Sequence, residues 1–341
     1  VMTSPPRRTL QYPRSQQRPG SQGNAPGGVS NDGVPLAGVP LRSNQRIPRK
    51  RFSRKPMVRS AYSKGKTVLM PKIYLFFLAI GLAVSGTNTL AQDSASVTEL
   101  AKQAQNPIAN MFSVPFQWNW NFDVGPLEKD QHIVNFQPVL PFELNDDWNV
   151  ITRTILPLIS QPAFTPAQTR KNGIGDINFT AFFSPKEPTS SGWIWGVGPV
   201  VTMDTASSDN LGQGAWSLGG SAIVLKSSGP WVTGALINNV WSVSEDSGRD
   251  EVNQMLVQPF INYNFPDKPG RYLSFSPVMT ANWEADSGQK WTVPLGLGIG
   301  QIVTLGKIPT NLQFAAYYNV ARPDFAARWQ IRAQLVLLFP R

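Results

Sequence analysis

The sequence contains a single histidine, His132, and no cysteine, which narrows the chemistry open to it. A lone imidazole cannot form a paired-histidine metal site. Without cysteine there is no thiolate ligand, thiol nucleophile or disulfide. A His–Ser nucleophile pair spaced H-x-S would put both groups on one face of a strand, but position 134 is Val134. His132 also falls on the alternation set of Val134, Phe136 and Leu140, which reads as a loop-edge residue turned to an apolar surroundings. No acidic cluster has calcium-loop spacing, and neither a G-x-S-x-G elbow nor a phosphate-binding loop occurs. Gly296, Gly298 and Gly300 recur with strand period and mark a small-residue stripe. No catalytic, cofactor-binding or metal-ligating residue is therefore expected.

Four charges remain: Asp123, Arg153, Asp176 and Arg332. Each falls on the polar set of an alternating segment, among the neutral amides Gln117, Asn119, Asn121, Asn135, Gln137, Asn178, Gln258, Asn262, Asn282, Gln313, Asn319 and Gln334. They read either as a structural network inside a closed lumen or as a polar eyelet touching solute. Arg153 and Asp176, on successive segments, are expected to pair.

The elements that carry these residues have period 2. Phe112, Val114, Phe116, Trp118, Trp120, Phe122 and Val124 alternate with Ser113, Pro115, Gln117, Asn119, Asn121 and Asp123. In a transmembrane barrel the apolar set meets lipid and the polar set lines the lumen. Eleven further segments follow, near 132–142, 148–158, 174–184, 193–203, 215–225, 231–243, 253–265, 272–283, 291–304, 311–320 and 329–340. A tilted strand needs roughly 9–11 residues to cross hydrocarbon, whereas soluble strands average about 5–6. The connections 143–147, 185–192, 227–230, 266–271 and 306–310 are short and fall on one side. Longer ones, near 159–173 and 204–214, fall on the other, as in outer-membrane barrels. Trp148, Trp193 and Trp231 open strands on the short-turn side, and Trp216, Trp241, Trp283, Trp291 and Trp329 stand at the opposite ends. Two such bands are the expected headgroup-level girdles. The fold class is all-β: an antiparallel up-and-down transmembrane barrel of about twelve strands over residues 111–341.

Residues 70–91 set the address. Lys72 precedes an apolar run from Ile73 to Val84, and Thr89-Leu90-Ala91 offers small residues at −3 and −1 of a cleavage site. The run is too short for a spanning helix, which needs about 20 residues, so a signal peptide is expected. Upstream, residues 1–69 carry 14 Lys and Arg against the single acid Asp32 and have the composition of a disordered segment. The chain opens on Val, and Met70 offers a start, so this extension is expected not to be translated. The alternative is a basic tail that binds RNA or an anionic surface. Removing its +13 and Lys72 from the formal +10 leaves −4 for residues 92–341, so no nucleic-acid partner is expected of the folded part. Between the cleavage site and the first strand, residues 92–110 contain the capping-box pattern Ser96-Val97-Thr98-Glu99, followed by a short helix that stops near Pro107. It could rest in the periplasm or plug the lumen.

Several blocks carry a resemblance: Gln105-Asn106-Pro107 with Ser113-Val114-Pro115-Phe116-Gln117, then Asn135-Phe136-Gln137-Pro138, then Trp148-Asn149-Val150-Ile151-Thr152-Arg153-Thr154. Gly173-Ile174-Gly175-Asp176-Ile177, Phe182-Phe183-Ser184-Pro185 and the ending Leu337-Leu338-Phe339-Pro340-Arg341 extend it. Together they resemble a bacterial family of outer-membrane proteins whose members often bear the label "neuromedin U" or "transporter", similar to the MetA-pathway phenol-degradation proteins. The resemblance spans about residues 100–341. It implies a barrel and transport of small, aromatic solutes, and it supplies no catalytic residues. Many barrels end on an aromatic residue, whereas here Phe339 is third from last.

The expected function is a passive outer-membrane channel for a small solute; a closed structural barrel and a lipid-acting enzyme are the alternatives. Expected partners are outer-membrane lipids, lipopolysaccharide and, during insertion, the barrel-assembly machinery. No cofactor is expected. The mature protein should begin at Gln92, which N-terminal sequencing of the outer-membrane form checks. A product retaining residues 1–69 would overturn both the signal peptide and the untranslated extension.

Overall fold

The structure, a computed structural model, describes residues 94–340. The basic extension, the signal peptide and the expected terminus at Gln92 lie outside the described residues. The chain starts with helix α1 (Ser94–Ala104) and continues through β1 (Phe112–Val124), β2 (Lys129–Phe136), β3 (Val139–Glu143), β4 (Trp148–Gln161) and β5 (Lys171–Ile174). Next come β6 (Ile177–Pro185), β7 (Trp193–Met203), β8 (Ala215–Ser228), β9 (Trp231–Glu245) and β10 (Asn253–Asn264). The last five are β11 (Arg271–Phe275), β12 (Met279–Asn282), β13 (Trp291–Leu305), β14 (Ile308–Ala321) and β15 (Trp329–Phe339).

These fifteen segments make a closed antiparallel barrel of twelve strands, because three strands are interrupted and resume on the same neighbours. β2 and β3 both pair with β1 and β4, and β5 and β6 both pair with β4. β11 and β12 both pair with β10 and β13. The interruptions fall at Gln137-Pro138, Gly175-Asp176 and Ser276-Pro277-Val278. A proline cannot donate to the ladder, which accounts for the first and third. Sequence periodicity reads straight through the first and third, which keep the register on both neighbours. At Gly175-Asp176 the register on β4 shifts by one residue, so Ile174 faces outward while Asn178 faces in.

Closure comes from β1 against β15, in register from Phe112↔Phe339 to Phe122↔Trp329. Phe339 stacks on Phe112 across this seam at 4.9 Å between ring centroids, so the third-from-last aromatic residue is fixed at the closing joint. With β9 paired to β10 as well, the sheet has no free edge, and backbone groups at membrane depth are satisfied.

Alternation sorts the side chains as the sequence requires. Outward residues include Phe116, Leu158, Leu218, Ile237, Leu297 and Phe314, all well exposed. Trp193 and Trp231 at one end, and Trp216, Trp241, Trp291 and Trp329 at the other, are 37–51% exposed, as girdle residues must be to reach headgroups. The shortest turns lie on the side where β1 begins. Gly229-Pro230 and Gly306-Lys307 each join two strands with two residues, and the glycines have φ of 55° and 63°. Glycine first in a two-residue hairpin loop suits the twist of the flanking strands.

On β6, Asn178 faces the interior, donating from Nδ2 to Thr202 Oγ1 at 3.1 Å, while Phe179 belongs to the outward set. Because the chain lacks cysteine, one introduced thiol reports one position. Phe179→Cys should resist a water-soluble thiol reagent and Asn178→Cys should react through a wet lumen. The reverse pattern would mean a register slipped by one, which turns every side chain to the other face.

Candidate functional site

Arg332 sits within β15, between β14 and β1, and is 5% exposed. Its Nε donates to Asn119 Oδ1, Nη1 to the Ser276 carbonyl and Nη2 to Gln330 Oε1, each at 3.2 Å. The guanidinium also lies over the Tyr317 ring, 5.0 Å from its centroid. The Ser276 carbonyl is available because the strand is broken there, and Tyr317 Oη donates to it as well, at 3.2 Å. The break between β11 and β12 therefore creates the acceptor that orients the cation.

Arg153 is placed likewise. It lies within β4, opposite Val139 on β3 and Thr180 on β6, and its Nη2 donates to Gln137 Oε1 at 2.8 Å. Gln137 occupies the break between β2 and β3, tied by its backbone N–H to the Pro115 carbonyl at 2.9 Å. Each cation thus takes a neutral acceptor at a strand interruption.

The two acids of the sequence reading go elsewhere, and the expected Arg153–Asp176 pair does not form. Asp176 is fully buried at the break between β5 and β6. Its Oδ1 accepts the backbone N–H groups of Thr205 (3.2 Å) and Ala206 (3.1 Å), and its Oδ2 accepts that of Gln213 (2.6 Å). Arg153 is in register with Thr180, four residues along, or about 13 Å at strand rise. The carboxylate anchors the outer loop 204–214 instead. Gly212 lies against it, where any Cβ would meet both carboxylate oxygens. Asp123 leaves the lumen set because β1 is irregular after Asn121 and Asp123 itself has φ of 54°. It lies at the rim near Arg328, 3.9 Å away.

The lumen is divided. On one side Ile151, Phe182, Ile223, Leu225, Leu236 and Phe260 point inward and pack around Ile108. These strands are apolar on both faces, so their inward set is invisible to an argument from alternating polarity. On the other side lies a cavity of about 150 Å³, bounded by Gln117, Gln137, Asn262, Gln313, Gln334 and both arginines. A smaller one of about 40 Å³ lies beyond, lined by Asn178, Thr202 and Gln254. Arg153 and Leu236 belong to the walls of both.

Helix α1 settles where the sequence left two options: it lies in the mouth on the short-turn side. Leu100 and Ala101 pack on the inward residues Tyr272, Ile302, Val336 and Leu338. Gln105 Nε2 donates to Asn264 Oδ1 at 2.8 Å, and Asn264 Nδ2 returns a bond to Gln105 Oε1 at 3.3 Å. Gly300 leaves room for the Tyr272 ring, on which any Cβ would fall. The tail of the helix, from Gln103 to Pro107, forms part of the cavity wall.

His132 is on the outward face, stacked near Trp118 and Trp120 at 5.9 and 5.5 Å. Ser160 of β4 stands directly opposite in register, a neighbour that a search along one strand misses. The two are not bonded to each other. Trp118 Nε1 donates to His132 Nδ1 at 3.3 Å, and Arg170 Nη1 donates to Ser160 Oγ at 3.1 Å. The imidazole lone pair is engaged by the indole, so it is not aimed at the hydroxyl as a general base would be.

No protein-family model and no curated protein matches the sequence. Solved structures match the fold. An outer membrane channel from Pseudomonas putida F1 aligns with a TM-score of 0.53 at 16% identity, covering 67% of this chain and 96% of that one. The NanC porin gives 0.44 at 8%, over 67% and 100% of the two chains. Outer membrane phospholipase A from Escherichia coli gives 0.40 at 11%, over 71% and 97%. At these identities the barrel is what is shared. The closed seam, apolar belt and aromatic girdles make this an outer-membrane β-barrel.

Asp176→Ala would leave three backbone N–H groups without their acceptor, at about 1–3 kcal/mol for a buried one. Its temperature for loss of the compact band on gels should fall, and loop 204–214 should become sensitive to protease. Arg153→Gln should leave that loop resistant. Equal nicking in both variants would overturn the anchoring role.

Proposed function

We propose that the protein is a passive outer-membrane channel for small solutes, closed at rest by its N-terminal segment. One observation carries this reading: two cavities meet at Arg153 inside the barrel, and the wall of the larger is completed by the tail of α1 rather than by the barrel alone. A purely structural lumen has no need for a separable segment at its mouth. The resemblance to the phenol-degradation family supports the same reading and extends it to small, aromatic solutes. The separate bonding of His132 and Ser160 favours a channel over a lipid hydrolase. Lipopolysaccharide and membrane lipids are its surroundings, and the barrel-assembly machinery its partner during insertion.

A second reading, the closed structural barrel, is favoured by the apolar packing around Ile108. Planar-bilayer recording separates the two. Leu100→Asp combined with Ala101→Asp removes burial worth about 1.5–3 kcal/mol for the leucine and forces carboxylates against apolar walls. The helix should leave the mouth, and conductance should rise severalfold over small wild-type steps. Silence from both proteins, each with a compact heat-sensitive gel band, would establish the closed barrel.

A further inference from the structure

A directed chain of hydrogen bonds runs along the inner wall toward the outer rim. Arg332 Nη2 donates to Gln330 Oε1 at 3.2 Å, Gln330 Nε2 to Asn121 Oδ1 at 2.9 Å, and Asn121 Nδ2 to Gln131 Oε1 at 2.7 Å. Gln131 Nε2 then donates to Gln161 Oε1. Arginine only donates, so Gln330 must present its oxygen, and each later amide is oriented by the one before it. The chain crosses β15, β1, β2 and β4 and ends on Gln161 Nε2, which is buried and has no hydrogen-bond partner among the described residues. A buried donor without an acceptor is costly, and amides polarised in one direction from a cation make this donor a stronger one.

The end of the chain meets a cavity of about 200 Å³ in the outer loop that follows β4, lined by Gln161, Pro162, Phe164, Thr169, Lys171 and Asn210 among others. Lys171 stands directly opposite Gln161 in register, so its ammonium and the unpaired amide N–H share one face. Residues 162–173 contain no acid, and no acidic side chain lines the cavity. Asp209, beside Asn210, is turned to Arg249 at 3.7 Å. Phe164 is held edge-on by Phe325, with 5.6 Å between ring centroids, and forms an apolar wall with Pro162. We propose that this pocket is a capture site for a small monocarboxylate at the outer mouth of the barrel. A carboxylate offers one oxygen to the buried amide and another to the ammonium. Chloride or phosphate would meet the donors and leave Phe164 and Pro162 uncovered. A cavity of about 150 Å³ already admits benzene, so this one takes a single ring together with its carboxylate. Both donors belong to the lumen face of the wall, and a lipid headgroup lies on the other.

The test is a calorimetric titration of the full protein, purified from outer membranes in a neutral detergent and low-chloride buffer, with benzoate and with the uncharged benzamide. It reads binding alone, so its result does not depend on whether the barrel conducts. Benzoate should bind saturably and benzamide at least tenfold more weakly. Gln161→Glu keeps an acceptor for Gln131 and replaces the unpaired donor with a carboxylate oxygen. It should weaken benzoate at least tenfold, the loss expected for a hydrogen bond to a charged group. Lys171→Gln, at an exposed position, should weaken benzoate about threefold, and Lys171→Arg should restore it. Should Gln161→Glu lose its compact gel band, Lys171→Gln alone decides. No saturable benzoate binding would mean that water serves the amide, and it overturns the site. Equal binding of benzoate and benzamide, or unchanged binding in both Gln161→Glu and Lys171→Gln, overturns it too. Competition by chloride or phosphate at the same concentration as benzoate overturns its assignment to a carboxylate.

Discussion

Closure of the sheet is the constraint from which the other features follow. In hydrocarbon an unpaired N–H or carbonyl costs several kcal/mol, so a sheet that spans a membrane can have no edge. The seam of β1 with β15 meets this condition over its full length, ending on the stacked Phe112 and Phe339. Once the sheet is closed, each strand has one face in lipid and one in the lumen, and a mid-strand charge has a single tolerable direction. Facing lipid at mid-depth would cost roughly 2–4 kcal/mol, so Arg153 and Arg332 must point inward.

Inside, neutral groups can serve the arginines because the strands are not perfect. A continuous ladder uses its carbonyls on its neighbours. The interruption at Ser276 releases one that Arg332 and Tyr317 share, and the interruption at Gln137 presents an amide that Arg153 takes. Guanidinium is weakly hydrated and tolerates desolvation better than an ammonium, which suits it to such acceptors. The third interruption works in the opposite sense. At Gly175-Asp176 a carboxylate receives three backbone N–H groups of an outer loop, fixing the rim rather than the lumen.

Much of this was legible in the sequence, and what was not has a common cause. Alternation specifies face, and it placed Asn178, Gln117 and Gln313 on the wall of the lumen. It also gave the twelve strands, their girdles and the short-turn side. It cannot show a break that preserves parity, as at Gln137-Pro138 and Ser276-Val278, and the one-residue shift at Gly175-Asp176 is hidden by the two glycines beside it. A residue at a break escapes the two-face rule, which is how Asp176 came to be matched with Arg153. Polarity contrast fails in a different way where both faces are apolar, as in Phe182 beside Phe183 or Leu225 beside Val224. There the sequence reads a buried strand, and only packing shows that its inward half surrounds Ile108. Ser160 was missed because its relation to His132 runs across strands, not along one.

The division of the lumen ties the mouth to the chamber. α1 is held by an apolar contact through Leu100 and Ala101 and by the reciprocal amide pair of Gln105 with Asn264, and neither requires a charge. The helix tail is at the same time a wall of the chamber that holds the arginines. Withdrawing α1 would therefore do two things at once: open that chamber to water on the short-turn side and uncover the apolar surface at Tyr272, Val336 and Leu338. Burial of that surface holds the mouth shut, so the state of the mouth and the state of the chamber change together.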